Sequence, residues 1–197
     1  MRRRRFGMEV VLVALIVLAV GLLPSCRGGD DDVLESEPVI TDQETLPPIE
    51  SLELPQANST IGVSVTSVPT GLAVTLNTSY WIELVDLRNR AIQYSIVGIP
   101  PVTPGPVPAT VAEFEQRVRE SPNSKVMKNG KLDTKFGPAE WVSGSYDDDD
   151  GPVVDVQIFV PHPSGSGNMV LRSVCPRGTS SVEESLSVMK ELLTHVS

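Results

Sequence analysis

The chain has 197 residues, enough for one ordinary domain with accessories, and an apolar fraction of 40% that is sufficient for a core. Its net charge of −9 argues against nucleic acid as a partner, since phosphate binding needs clustered Lys and Arg. The charge is uneven: residues 27–57 carry nine acids and one base, whereas residues 58–197 carry fifteen acids and eleven bases.

The chain opens on Arg2-Arg3-Arg4-Arg5, followed by an almost unbroken apolar stretch from Val10 to Leu23. A basic start before roughly 7–15 apolar residues is the pattern of a secretory signal, while a membrane-spanning helix usually needs about 20. Glu9 bounds the stretch, because a carboxylate in hydrocarbon is costly. An uncleaved anchor is the alternative. Arg3-Arg4-Arg5-Phe6 fits a twin-arginine core loosely, and a plain basic segment explains it better.

Leu23-Pro24-Ser25-Cys26 resembles the lipobox of bacterial lipoproteins, with an apolar residue at −3, a small one at −1, then Cys. The resemblance implies a diacylglyceryl group on the Cys26 thiol, cleavage after residue 25, and acylation of the new amine by a chain such as palmitate. Several acyl chains hold a protein stably on a bilayer where one does not. Pro24 departs from the commoner residue at −2. Arg27, in place of Asp after the Cys, resembles proteins sorted to an outer membrane. The other reading is an ordinary signal peptide with a Cys near its end.

Residues 26–57 form the next segment, reading "CRGGDDDVLESEPVITDQETLPPIESLELPQA". It is rich in Asp, Glu, Pro and Ser, has no sustained period, and cannot bury enough apolar surface to offset its ordering entropy. The expectation is an extended, disordered tether ahead of a domain at 58–197.

Within that domain, Val63, Val65 and Val68 alternate with polar residues, and Leu72, Val74 and Leu76 repeat the pattern after Gly71. Tyr80–Leu87 and Ile92–Ile96 read as a hairpin around Arg88-Asn89-Arg90. Pro100–Pro108 is too proline-dense for a regular element. Thr110 and Glu113 fit a capping box for a short helix carrying Val111, Phe114 and Val118, ended by Ser121-Pro122. Lys125–Lys128 and Lys131–Lys135 flank Asn129-Gly130, a dipeptide suited to a tight hairpin turn. Phe136–Tyr146 continues extended, with Ala139 and Trp141 on one face, and Asp147–Gly151 reads as a charged loop. Val154, Val156, Ile158 and Val160 share a face, as do Met169, Leu171, Ser173 and Cys175 beyond the turn at 161–168. Ser180-x-x-Glu183 or Ser181-x-x-Glu184 caps a final helix with a stripe of Val182, Leu186, Met189, Leu193 and Val196. Runs of strands with helices between and after them predict an α+β fold, an antiparallel β-sheet packed by two helices.

The stretch from Gly130 to Leu193 resembles the second half of the PsbP/DcrB-like superfamily. It has the Gly-x-small-x-aromatic strand at Gly137-Pro138-Ala139-Glu140-Trp141, a charged turn, two long strands, and a closing helix after a Ser-rich cap. The likeness covers roughly residues 60–197. It implies a PsbP/DcrB-like fold and a non-enzymatic envelope, lumenal or binding protein, and it carries no catalytic set.

His162 sits between two prolines and His195 near the chain end, neither with a metal-ligand partner at helical spacing. There is no Gly-x-Ser-x-Gly elbow and no phosphate-cradling loop opening a helix. Asp147, Asp148, Asp149 and Asp150 are candidate cation-binding residues, although Gly151 and the absence of a closing Glu break the EF-hand pattern. Cys175 has no intrachain partner if Cys26 is lipidated, and parity puts it on the face of Leu171. Trp81, Tyr94, Trp141 and Tyr146 are the candidate partner face, read alternatively as core or half-buried sheet residues.

The expected function is that of a lipid-anchored extracytoplasmic protein of the cell membrane or outer membrane. It would act as a binding or assembly module in the cell envelope or periplasm, without enzymatic activity, cofactor or resident metal. Its expected partners are the membrane, through Cys26, and another envelope protein. The alternatives are a small-ligand or weak cation-binding protein, and a hydrolase with a dispersed site.

Overall fold

The computed structural model describes residues 48–99, 107–165 and 167–197. Arg2–Arg5, the apolar stretch, Cys26, most of the expected tether and Pro100–Pro106 lie outside the described residues. In chain order the elements are β1 (Gln56–Asn58), β2 (Val63–Val65), β3 (Leu72–Asn77), β4 (Trp81–Asp86), β5 (Gln93–Ile99), α1 (Val111–Glu120), β6 (Lys125–Thr134), β7 (Gly137–Asp148), β8 (Gly151–Pro161), β9 (Asn168–Pro176) and α2 (Val182–Thr194). Seven strands form one antiparallel sheet in the order β3-β4-β5-β9-β8-β7-β6, and β1 and β2 form a separate pair. The fold is α+β: an antiparallel sheet with a helix on each face.

Side chains alternate between faces along a strand, so each strand feeds two cores. The larger core takes Val74, Ile82, Leu84, Ile96, Val156, Ile158, Met169 and Leu171 from the sheet and Leu186, Met189 and Leu192 from α2. Burying each such side chain contributes about 1.5–3 kcal/mol. The smaller core gathers Val97, Val142, Phe159 and Val170 around Phe114 and Val118 of α1. Ser181 caps α2 in a full capping box with Glu184, which selects one of the two registers the sequence allowed. Thr110 caps α1 through Glu113 N–H, while the Glu113 carboxylate accepts from Ala109 N–H at 2.8 Å.

Three expectations are corrected. Asn129-Gly130 is not a turn: β6 runs straight through it, with Asn129 opposite Val142 and Gly130 opposite Trp141. A Cβ on Gly130 would stand 2.7 Å from Trp141 Nε1, so this glycine makes room for an indole. The chain reverses instead at Lys135-Phe136, where Thr134 Oγ1 accepts from Phe136 N–H and Gly137 takes φ +115°. The domain boundary at residue 58 falls inside β1, because Gln56 and Ala57 pair with Val65 and Ser64. The acidic loop shrinks to Asp149-Asp150, since Asp147 and Asp148 end β7 opposite Pro152 and Gly151.

Candidate functional site

The two helices do not cover the sheet equally. α1 lies mainly on β6 and β7, and among the described residues no helix covers β3, β4 and β5 on that side. Strand register writes two cross-strand rows that run from β4, which no described helix covers on this side, to β8, where Phe159 packs in the α1 core. One is apolar: Trp81, Val97, Val170 and Phe159 on β4, β5, β9 and β8. The neighbouring row is polar: Glu83, Ser95, Arg172 and Gln157 on the same four strands. Between them lies a recess of about 240 Å³, lined by Trp81, Glu83, Ser95, Val97, Val107 and Arg172 among others.

Arg172 is held from behind. Asp155 Oδ2 accepts from Arg172 Nε at 3.0 Å and Nη2 at 2.8 Å. Tyr146 donates its hydroxyl to the same oxygen at 2.9 Å and accepts from Arg172 Nη2 at 3.2 Å. Gln157 Nε2 donates to both Asp155 oxygens at 3.3 Å. The Asp155 side chain is 2% exposed and that of Arg172 32%, so the buried carboxylate fixes a guanidinium that reaches the surface. Burial works against the Arg172 charge, and the Asp155 carboxylate outweighs it, holding the guanidinium pKa above its usual value. Burial, then the nearby Asp155 charge, pushes the Tyr146 phenol up, so it stays a donor. Gln157 Oε1 is buried with no hydrogen-bond partner among the described residues. A buried acceptor left unpaired costs about 1–3 kcal/mol.

The four aromatic residues expected to form one partner face are split between the two sides. Trp81 and Tyr146 pack with the α1 core, whereas Tyr94 and Trp141 pack with the α2 core. Tyr94 is 2% exposed, and burial raises its pKa to about 12. The structure does not gather the four aspartates. Asp147 accepts from Asn123 Nδ2 at 2.5 Å and faces Arg177 at 3.8 Å, while Asp148 Oδ1 accepts from Asp150 N–H. Among the described residues no group of three or more His, Cys, Asp or Glu side chains is placed to hold a metal ion.

His162 ties the loop before β2 to the β8–β9 turn, its Nε2 lying 2.6 Å from Ile61 O and its Nδ1 2.7 Å from Ser164 Oγ. His195 ends α2, with Nδ1 2.5 Å from Ser67 Oγ. Cys175 is buried on the α2 side, as parity indicated, and burial pushes its thiol pKa up. A second recess, about 360 Å³, opens beside the start of α1, where Lys131 and Glu140 stand 4.0 Å apart at the rim. Asn168 in its wall is already committed to Ala109 O at 3.1 Å.

Asp155 and Gln157 escaped the sequence reading because they interrupt the apolar alternation of β8 on what looked like its outward face. The signal that could have found them was an acid and an amide at alternate positions of a strand otherwise made of Val, Ile and Phe.

No protein-family model matches the sequence, and no curated protein sequence matches it. Several solved structures have a similar backbone. The chain is similar to the Saccharomyces cerevisiae Ran-binding protein Mog1p at 8% identity and a TM-score of 0.47, over 68% of this chain and 89% of that one. It is similar to LpqN, described as involved in cell envelope biogenesis of Mycobacterium tuberculosis, at 16% identity and a TM-score of 0.42, over 66% and 80%. It is similar to cyanobacterial PsbP from Synechocystis at 9% identity and a TM-score of 0.44, over 73% and 91%. Among the described residues no helix is long and apolar enough to cross a membrane.

Proposed function

We propose that this protein is a lipid-anchored binding module of the cell envelope, held at Cys26 on the extracytoplasmic side of a membrane and binding through the half of its α1-side sheet face that no described helix covers. It is a binding protein, not an enzyme. The observation that carries the binding reading is the recess over β4, β5 and β9, where a guanidinium fixed by a buried carboxylate borders an apolar row ending in Trp81. Such a pairing of apolar surface with a few oriented polar groups is what recognition sites share. The address rests on the basic start, the apolar stretch and Leu23-Pro24-Ser25-Cys26.

Mass spectrometry of the mature N-terminal peptide, beside a Cys26→Ala variant, tests the anchor. The expected peptide begins at Cys26 with an acyl adduct, and the variant keeps residues 1–25. An unmodified mature terminus elsewhere contradicts the anchor and frees Cys26 for other chemistry. The recess is small beside the roughly 300–1,000 Å³ of drug-sized sites, which favours a small ligand over a protein partner as the occupant.

A further inference from the structure

The recess presents two opposite charges beside an apolar wall, and the cross-strand register dictates their order. Glu83, Ser95 and Arg172 stand on successive strands of one row. Adjacent strands lie about 4.8 Å apart, so the long Glu83 and Arg172 side chains can converge on one small molecule from two strands away. Among the described residues Glu83 makes no ion pair and no side-chain hydrogen bond. Arg172 commits Nε and Nη2 to Asp155 and Tyr146, and leaves Nη1 without a partner among the described residues. The Ser95 hydroxyl between them is likewise unpartnered among the described residues. The apolar side is supplied by Trp81, Val97 and Val107.

Either charge alone would point to a simple ion, and each argues against the ion that the other prefers. A carboxylate drawn to Arg172 meets Glu83, and an ammonium drawn to Glu83 meets Arg172. A ligand carrying both charges close together, with an apolar group to one side, satisfies all of them. The recess volume suits a molecule well below drug size.

We propose that this recess binds a free α-amino acid with an apolar side chain, its carboxylate on Arg172 Nη1 and the Ser95 hydroxyl, its ammonium on Glu83, and its side chain against Trp81 and Val107. The inference rests on the binding-module reading and names its ligand class. Asp155 and Tyr146 act as positioning residues that aim the guanidinium.

The test is calorimetric titration of the full chain with L-phenylalanine and L-leucine, beside 3-phenylpropionate, which lacks the ammonium, and phenethylamine, which lacks the carboxylate. The amino acids are expected to bind, and each truncated analogue to bind at least about tenfold more weakly, as loss of a charge-assisted contact requires. Glu83→Gln, at a half-buried position with no partner to lose among the described residues, should weaken L-phenylalanine and remove its advantage over 3-phenylpropionate. Arg172→Lys keeps a cation for Asp155 and should remove the advantage over phenethylamine. If neither amino acid binds at millimolar concentration, if 3-phenylpropionate binds as well as L-phenylalanine, or if Glu83→Gln leaves the ranking unchanged, the inference is overturned. Oxidative labelling of Trp81 in intact cells separates that failure from failure of the binding module. Protection of Trp81 there, with no amino acid binding in the calorimeter, assigns the recess to another occupant such as a partner chain.

Discussion

Asp155 ties three strands together at one buried carboxylate. It is almost fully buried and accepts hydrogen bonds from Arg172, Tyr146 and Gln157. Removing one member of a buried ion pair leaves the other charge uncompensated, at a cost of about 3–5 kcal/mol. Because the Arg172 head reaches solvent, Asp155→Ala should lie at the lower end, about 3 kcal/mol, read as a fall in the urea midpoint at unchanged m-value. A loss below about 0.5 kcal/mol would mean that the network does not hold the guanidinium. Asp86 plays a comparable part at the end of β4. The hydrogen bond from Arg88 pulls its carboxyl below the ordinary 3.8, against the effect of burial. A depressed folded-state pKa contributes stability that is complete above the unfolded value and fades as pH falls through the folded one. The acid limb of stability below pH 3.8 should therefore flatten in Asp86→Asn, as measured by urea midpoints across that range. An unchanged limb would remove Asp86 from the acid response.

Two glycines set how the elements meet. Gly144 of β7 faces α1, and a Cβ there would stand 2.7 Å from Val118 Cγ2 and 3.2 Å from Phe114 Cε1. Gly144→Ala should lift α1 from the sheet at about 1–3 kcal/mol, the usual range for overpacking, with loss of amide protection concentrated in residues 111–120. Gly130 does the same for Trp141 on the other side of the sheet, and Gly130→Ala should shift the Trp141 indole N–H resonance. Normal stability and an unmoved resonance would contradict that close contact. These positions also mark where the sequence was legible and where it was not. The alternation Val154, Val156, Ile158, Val160 and the stripe Val182, Leu186, Met189, Leu193 correctly identified the main core, because both periods are local properties of the chain. Asn129-Gly130 misled because its local preference for a turn was outweighed by nine residues of pairing with β7 and by the space an indole needs. The four aromatics were likewise grouped by residue type, when their faces depend on parity within three strands, Trp141 and Tyr146 taking opposite parity on β7 itself.

At the scale of the whole molecule, the site exists only because of strand order. Arg172 and Asp155 are 17 residues apart, and Tyr146 is 9 from Asp155, yet β7, β8 and β9 set them side by side. Placing β5 next to β9 then brings Ser95 and Glu83 into the same row. No spacing in the sequence encodes that row, which is why the recess was invisible before the topology was known. The separation of α1 from β3, β4 and β5 completes the arrangement by leaving the row without a covering helix among the described residues.

The central claim is that the protein works through this face, and the two tryptophans make it directly measurable. Trp81 lines the recess on the α1 side, and Trp141 packs on the α2 side as an internal reference. Hydroxyl-radical labelling of intact cells and of the purified protein, read by peptide mass spectrometry, compares the two rings under the same dose. The account predicts that Trp81 is labelled less in cells than in the purified protein, while Trp141 is labelled equally in both. Equal labelling of Trp81 in the two preparations, with Trp141 unchanged, would contradict it.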